Sequence, residues 1–510
     1  MSAPLSSTCA WQLARDAIVS STYRKLEQDG DKWRRLSNDE SDAGMPNAAP
    51  ARVAAEEIGR SSWTSVALDV QPLPRPDLAC LGTLGDRATG GRAAQAIDPT
   101  RRLATLLASA AAPIRWEPRN AVHGHRGIPS PGPLFVSDIL LLSAAGTGAM
   151  SAWRYLPSAH ALARIPGCSA ADEAPVGGFD VVIVGRLERC LTPYGDFSAT
   201  LAALEAGHMQ AQLAIVAKAL GWRVGTQAVP GETAVRHALG LDHWTSQPFA
   251  RMRVRGPGAA HALPTATCTV QVVTERATRP EDGEDYPRLR RFMTMIQGLE
   301  ASSEAAYTTV EDEVSALPPA LAGLPLADMI LARSSGRMHT TTPCRPTFDR
   351  TALEAIGPVL AALRPEPQDQ LGEVGLRLHL SVANHGRHAS DNYVLDDRTG
   401  SISIDTNRRS EDDGGSNHGV LATLSIDDLR ELQRWGPAAF LTGHVAAGGQ
   451  AQRFSLAAAA AGLCVRPTRS YVDAIVDATL PLERRAIYQM NCSREPPGNI
   501  AYPVWGAHGL

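Results

Sequence analysis

Several common protein classes are set aside by what this sequence has little of. Aromatic residues make up only 5% of its 510 positions, and 49 lysines and arginines are nearly matched by 53 aspartates and glutamates. A formal charge of -4 and a pI near 6.4 do not build the basic face that a nucleic-acid backbone requires. The eight cysteines (Cys9, Cys80, Cys168, Cys190, Cys268, Cys344, Cys464 and Cys492) lie far apart with no CxxC pair. That spacing argues against both a zinc framework and a disulfide framework, and leaves scattered reduced thiols. The longest apolar stretches, such as Phe454 to Val465, are alanine-rich and too short to span a bilayer. Residues 1–20 show no charged start followed by an apolar core, so a cytoplasmic protein without a membrane partner is expected. A glycine-rich dinucleotide fingerprint is missing too, which disfavours tight NAD binding by a doubly wound fold. Histidines occur as His123 with His125 and as His379, His385 and His388. They stand in loop-like, glycine-containing sequence without a cysteine or carboxylate framework, and no metal is expected there.

What is present is an ordinary soluble composition, 44% hydrophobic and 20% charged, in a chain too long for one core. Two domains are the default. Residues 1–75 read as a separate, partly loop-like extension, with helical potential over Trp11 to Leu36. Residues 76–275 form a first half, 276–320 a charged linker with a connecting helix, and 321–510 a second, more degenerate half. The stretch Arg408 to Gly419, dense in Ser, Asp, Gly and Asn, reads as an exposed loop.

The two halves repeat one another. Arg87-Ala-Thr-Gly-Gly-Arg92 precedes an apolar helical run, Leu103 to Ala112, as Arg333-Ser-Ser-Gly-Arg337 precedes Leu353 to Leu363. Ala206 to Trp222 aligns without gaps on Ala447 to Leu463, each a helix rich in small residues that stops at a glycine, Gly221 or Gly462. Strand-like runs surround these helices at Ile139–Leu142, Val181–Val184, Ala250–Val254, Leu376–Val382 and Ile487–Asn491. Helices interleaved with short strands give an α+β, three-layer sandwich. A duplicated domain can reproduce a homodimer within one polypeptide, making its two-fold interface intramolecular. Such a chain can stand as a monomer or dimerise further.

Three motifs carry a resemblance. They are Arg126-Gly-Ile-Pro129-Ser130-Pro131-Gly132-Pro-Leu-Phe, then Tyr194-Gly-Asp-Phe197 running into Leu204-Glu-Ala-Gly-His208, and Arg333-Ser-Ser335-Gly-Arg337. Together they resemble the nitroreductase superfamily, specifically its azoline dehydrogenase branch, over roughly residues 80–275 and 325–495. The resemblance implies two tandem nitroreductase-like, FMN-binding sandwich domains forming an intramolecular pseudo-dimer. It also implies that Pro129, Ser130 and Gly132 lie beside the flavin ring, while Arg333, Ser335, Arg337 and the late basic residue Arg494 hold the phosphate. Guanidinium forks and short hydroxyls suit that anion. Only the first half carries the Pro-Ser-x-Gly segment, because the stretch near Glu373 to Leu380 has none. One flavin per chain is therefore expected, between the first-half loop and the second-half arginines.

The branch carries a Lys-Tyr pair before the glycine, thought to serve as base. Here the lysine position is Pro193, which leaves Tyr194 as the candidate base and His208 as a possible helper. The implied activity is oxidation of thiazolines or oxazolines in a ribosomally made, thiopeptide-like precursor peptide, with a cyclodehydratase as a conceivable partner. Two alternatives stay open: another FMN-dependent nitro- or ene-type oxidoreductase, and a flavin-free peptide-binding scaffold.

Overall fold

The computed structural model describes residues 63–88, 94, 96–117, 124–144, 150–166, 177–230, 232–241, 243–263, 268–275, 286–297, 319–336, 350–364, 374–383, 390–396, 399–405, 420–427, 430–431, 436–469, 471, 473–494 and 502–505. The helical potential of Trp11 to Leu36, the centre of the linker and the loop Arg408 to Gly419 lie outside these residues.

Local signals set the first long helix, Pro99–Ala111: Asp98 caps it by accepting the Arg101 N–H at 3.0 Å, and Pro99 occupies its first turn. Nearly all of this helix is buried. The first half then contributes β1 (Trp63–Pro72), β2 (Arg115–Trp116), β3 (Gly124–His125), β4 (Ser137–Ala144), β5 (Met150–Leu156), β6 (Ala161–Ile165), β7 (Gly178–Arg186), β8 (Arg223–Ala228), β9 (Ser246–Arg255) and β10 (Cys268–Glu275). The second contributes β11 (Arg377–Ala383), β12 (Ser390–Leu395), β13 (Ile402–Ile404), β14 (Val420–Ile426), β15 (Cys464–Thr468), β16 (Arg485–Ser493) and β17 (Tyr502–Pro503).

The first sheet has strand order β10-β1-β6-β5-β4-β7-β9-β8 and the second β13-β12-β11-β14-β16-β15. Read from β6 and from β13, the two orders correspond strand for strand. A 22-residue helix follows β7 and another follows β14, Ser198–Ala219 and Ala439–Ala460, and each is succeeded by the edge strand β8 or β15. Gly221 and Gly462 end these helices in the left-handed region, with φ of 77° and 72°. The first half adds two strands of its own, because β1 pairs with both β6 and β10. All of β1 falls inside the segment expected to stand apart, and its pairing joins it to the first sheet.

The two central helices pack against each other. A methyl at Gly207 would overlap the Val445 carbonyl, and one at Gly448 would overlap the Leu204 carbonyl. These contacts are reciprocal under the same register that aligns the repeats, which is the signature of an isologous two-fold contact. Glycine is required at both positions because the backbones approach too closely for any Cβ. One continuous apolar core runs through both halves around this crossing. The C-terminal segment returns to the first half, where β17 pairs with β2 and the Trp505 indole donates to Pro113 O at 2.7 Å.

Candidate functional site

The first-half loop is held from below by its central helix. Glu205, fully buried, accepts from the Ser130 hydroxyl and from the Ser137 N–H, the latter at 2.8 Å. Ser130 Oγ in turn accepts the Phe135 N–H at 2.8 Å, closing the loop on itself. Burial pushes the Glu205 carboxyl up, against the opposing pull of the Ser130 hydroxyl and the Arg126 charge. Arg126 stacks on the Phe135 ring at 3.5 Å, and burial lowers it to about 10. Gly132 and Phe135 both adopt positive φ, 53° and 50°, so this is a tightly turned segment. Pro129 lies at its start, partly exposed.

Tyr194 closes one side of the loop, since a Cβ on Gly132 would lie 2.9 Å from the Tyr194 hydroxyl. Burial raises the phenol above its ordinary value, with Cys190 adding to the effect. It therefore keeps its proton at neutral pH and presents a donor. Two residues on, Asp196 is a carboxylate also raised by burial, and one of its oxygens is buried without a hydrogen-bond partner.

The second half meets this loop through the sequence after the helix Leu326–Ala332. Arg333 is buried and donates to Arg126 O at 3.1 Å, while Arg115 of the first half donates to Arg333 O at 3.1 Å. The strand β15 backs the segment: Val465 N–H donates to Ser334 O at 2.9 Å and Arg466 Nε to Ser335 O at 3.0 Å. Gly336 turns with φ 77° against Cys464, and Cys464 faces Ser493, the residue before Arg494. Arg333, Ser335 and Arg494 thus lie at one end of the second sheet, with Arg333 touching the first-half loop. Arg337 lies outside the described residues.

His208, expected as a helper to Tyr194, lies at the contact between the halves. Its Nδ1 pairs with Gln452 Oε1 at 3.0 Å and its Nε2 with the Tyr488 hydroxyl at 3.3 Å, both across the contact between halves. Gln452 continues the chain to Gly127 O at 2.9 Å and to Gln212 Oε1 at 2.8 Å. Burial drives the imidazole down to about 3, with the Arg333 charge adding to it and the Gln452 bond opposing it. A neutral ring with both nitrogens engaged braces the contact between the halves.

Sequence reading missed Glu205 as the anchor of Ser130, the His208–Gln452 link and Arg466. The only signal for Gln452 was its register in the repeat, and Arg466 had none. His379, grouped with the loop-like histidines although it falls in the strand-like run Leu376–Val382, sits in β11, buried, with Nδ1 2.8 Å from Asp405 and Nε2 2.8 Å from Ser425 Oγ. Alternation in β11 carries the ring inward, where a polar side chain must find partners. Ser425 is fully buried and also accepts from Arg484 Nε at 2.7 Å, so this Asp-His-Ser set has no access to a substrate. Among the described residues, no group of three or more His, Cys, Asp or Glu is arranged to hold a metal, and no helix is long and apolar enough to cross a membrane.

No family model matches the chain, and no curated protein matches it in sequence. Solved structures do. A protein designated a nitroreductase, from Anabaena variabilis, superposes with a TM-score of 0.58 at 15% identity, covering 88% of this chain and 99% of that one. Coverage of that extent spans both halves. A second protein so designated, from Ralstonia eutropha, gives 0.25 at 19% identity over 42% of this chain and 85% of its own. The E. coli microcin synthetase McbBCD complex with truncated pro-MccB17 bound gives 0.26 at 20% identity, over 31% and 63%. The first of these likenesses defines the fold: the chain has the mixed α+β nitroreductase fold.

Proposed function

We propose that the chain is an FMN-dependent dehydrogenase that oxidises thiazolines or oxazolines to the aromatic azoles in a ribosomally made precursor peptide. The observation that supports it best is the meeting of unlike parts from the two halves. The Pro129–Gly132 loop, locked through Ser130 and Glu205, is reached by Arg333 of the second half at Arg126 O, 3.1 Å away. A fused pseudo-dimer supplies both parts from one polypeptide.

The donor set fits the cofactor. Arg333 and Arg466 bring fixed positive charge to the segment Ser334–Gly336, whose hydroxyls and turned backbone suit a phosphate monoester. Pro129, Ser130 and Gly132 would line the ring, and Arg494 would complete the phosphate end. FMN, when bound, accepts the hydride that leaves the azoline ring. Tyr194, a protonated phenol whose burial raises it further, orients a ring heteroatom or carbonyl by donation. The ring-carbon proton then requires an acceptor, and Asp196 offers a carboxylate whose buried oxygen has no competing bond. Glu205 and His208 fix the loop and the crossing helices without touching substrate.

Pro193, where the branch has lysine, favours a second reading, an FMN oxidoreductase acting on a small nitro or enone compound. Incubation of the purified protein with a thiazoline-bearing peptide and oxygen separates the two. The expected product is lighter by two hydrogens, with the loss abolished in Tyr194→Phe or Asp196→Asn. An unchanged peptide together with NADPH-driven nitro reduction would establish the second reading, and a protein that takes up no flavin would overturn both.

A further inference from the structure

Alternation along the strands of the first sheet divides its side chains between two faces. Ile139, Leu141, Val181 and Ile183 join the main core with the central helix. Leu140, Leu142, Val182 and Val184 point the other way and form a separate apolar cluster with Val235, Leu239 and Leu241. Those last three come from the short helix Thr233–Ala238 and the chain that follows it. Their cover is partial. A cavity of about 190 Å³ remains beside it, walled by Leu140, Ile165, Val184, Leu239 and Leu241.

The same outward rows turn polar at one end of this cavity. Asp138 follows on from Leu140 along β4, Arg186 from Val184 along β7, and Arg154 on β5 pairs with Leu140. Asp138 is engaged on both oxygens: Oδ1 lies 2.9 Å from Arg189 Nη2, while Oδ2 lies 3.0 Å from Arg154 Nη2 and 3.7 Å from Arg186 Nη1. Against the burial that would raise it, these three arginines hold its carboxyl down to about 2. Arg154 keeps donors to spare. Its Nε is buried with no hydrogen-bond partner, although the side chain as a whole is 39% exposed. The polar end of the cavity therefore calls for an acceptor, and its walls call for an apolar body.

We propose that this cavity is a ligand site for a small carboxylic acid that carries one ring-sized apolar group. Size sets the apolar part, because an apolar cavity of about 150 Å³ is enough to take up benzene. Arg154 sets the polar part, since a planar guanidinium fork matches a carboxylate in two parallel bonds. Its partial exposure leaves the polar end open to solvent, so the acid can enter with its head group outward. The site lies on the face of the first sheet turned away from the central helix. It is distinct from the candidate flavin site and does not rest on the proposed function.

The test is calorimetric titration of the full-length protein, with whatever flavin it carries, using phenylacetate as probe. One saturable site per chain is expected, with a Kd of about 1 mM or tighter for a ligand of this size. Arg154→Gln should weaken it at least tenfold while leaving the apolar walls intact. Benzyl alcohol, which keeps the ring but not the carboxylate, should bind the parent protein at least tenfold more weakly than phenylacetate does. Val184→Phe should abolish binding by filling the cavity. Should that variant fail to fold, the arginine variant and the alcohol decide alone. Absence of saturable phenylacetate binding overturns the proposal, as does binding that is unchanged in Arg154→Gln or equalled by benzyl alcohol. So does release of phenylacetate by added FMN, since the probe would then occupy the flavin site.

Discussion

At the scale of single residues, the site is organised by buried polar groups whose charge state is set by burial. His208 is the clearest case. Its ordinary value of 6.5 falls to about 3 in the folded chain, and His444, buried against Phe440 O at 2.7 Å, falls as far. The unfolded chain therefore takes up these protons first. Stability is complete above about pH 6.5 and is lost as the pH falls toward 3, by up to about 1.4 kcal/mol per pH unit for each histidine. Urea unfolding between pH 7 and pH 5 should show this decline, and His208→Asn should flatten it. Coincident slopes for the variant and the parent would remove His208 from the account. Little of this was legible in the sequence. A histidine in a small-residue helix carries the same letters whether it is a base or a strut, and only the approach of Gln452 and Tyr488 from the other half bears on the choice.

At the scale of elements, the sequence was most informative where a repeat constrained it. The central helices, their glycine stops and the strands on either side of each were visible as matched segments. Apolar periodicity would not have found these helices, because both are buried on nearly every side and lack a polar face. The short strands β2, β3 and β17 had no signal, being two residues each and defined by their partners. Matching sequence also did not reveal that Gly207 and Gly448 are the crossing point. Either glycine replaced by alanine should cost at least about 2 kcal/mol, since the clash is with backbone that cannot rotate away. Gly449→Ala, one residue along with space around its Cβ position, should instead be neutral or stabilising by up to about 1 kcal/mol. Denaturant midpoints of the three variants check the contrast. Equal effects would mean that helix propensity, not the close crossing, governs these positions.

At the scale of the whole molecule, two halves of matching strand order need not have matching sites. A homodimer must build its two interfacial sites from identical residues, whereas a fused chain is released from that constraint. Here the first position keeps Glu205, which holds Ser130 within the first half, and His208 and Gln452, which link to Tyr488 and Gly127 across the halves. The second position has Ala446, Gly449 and Ala211 where those three side chains stand. On the proposed function, one flavin per chain is the expectation, with the phosphate end on the second half and the ring end on the first. Heat-released flavin measured against protein concentration should give a ratio of one for a chain that is monomeric by light scattering. Glu205→Ala should lower that ratio by freeing the Ser130 loop, while Arg453→Gln should leave it unchanged. A ratio of two would put flavin at both positions, whereas a loss of flavin in Arg453→Gln with none in Glu205→Ala would put the cofactor at the opposite position and reverse the assignment of the halves.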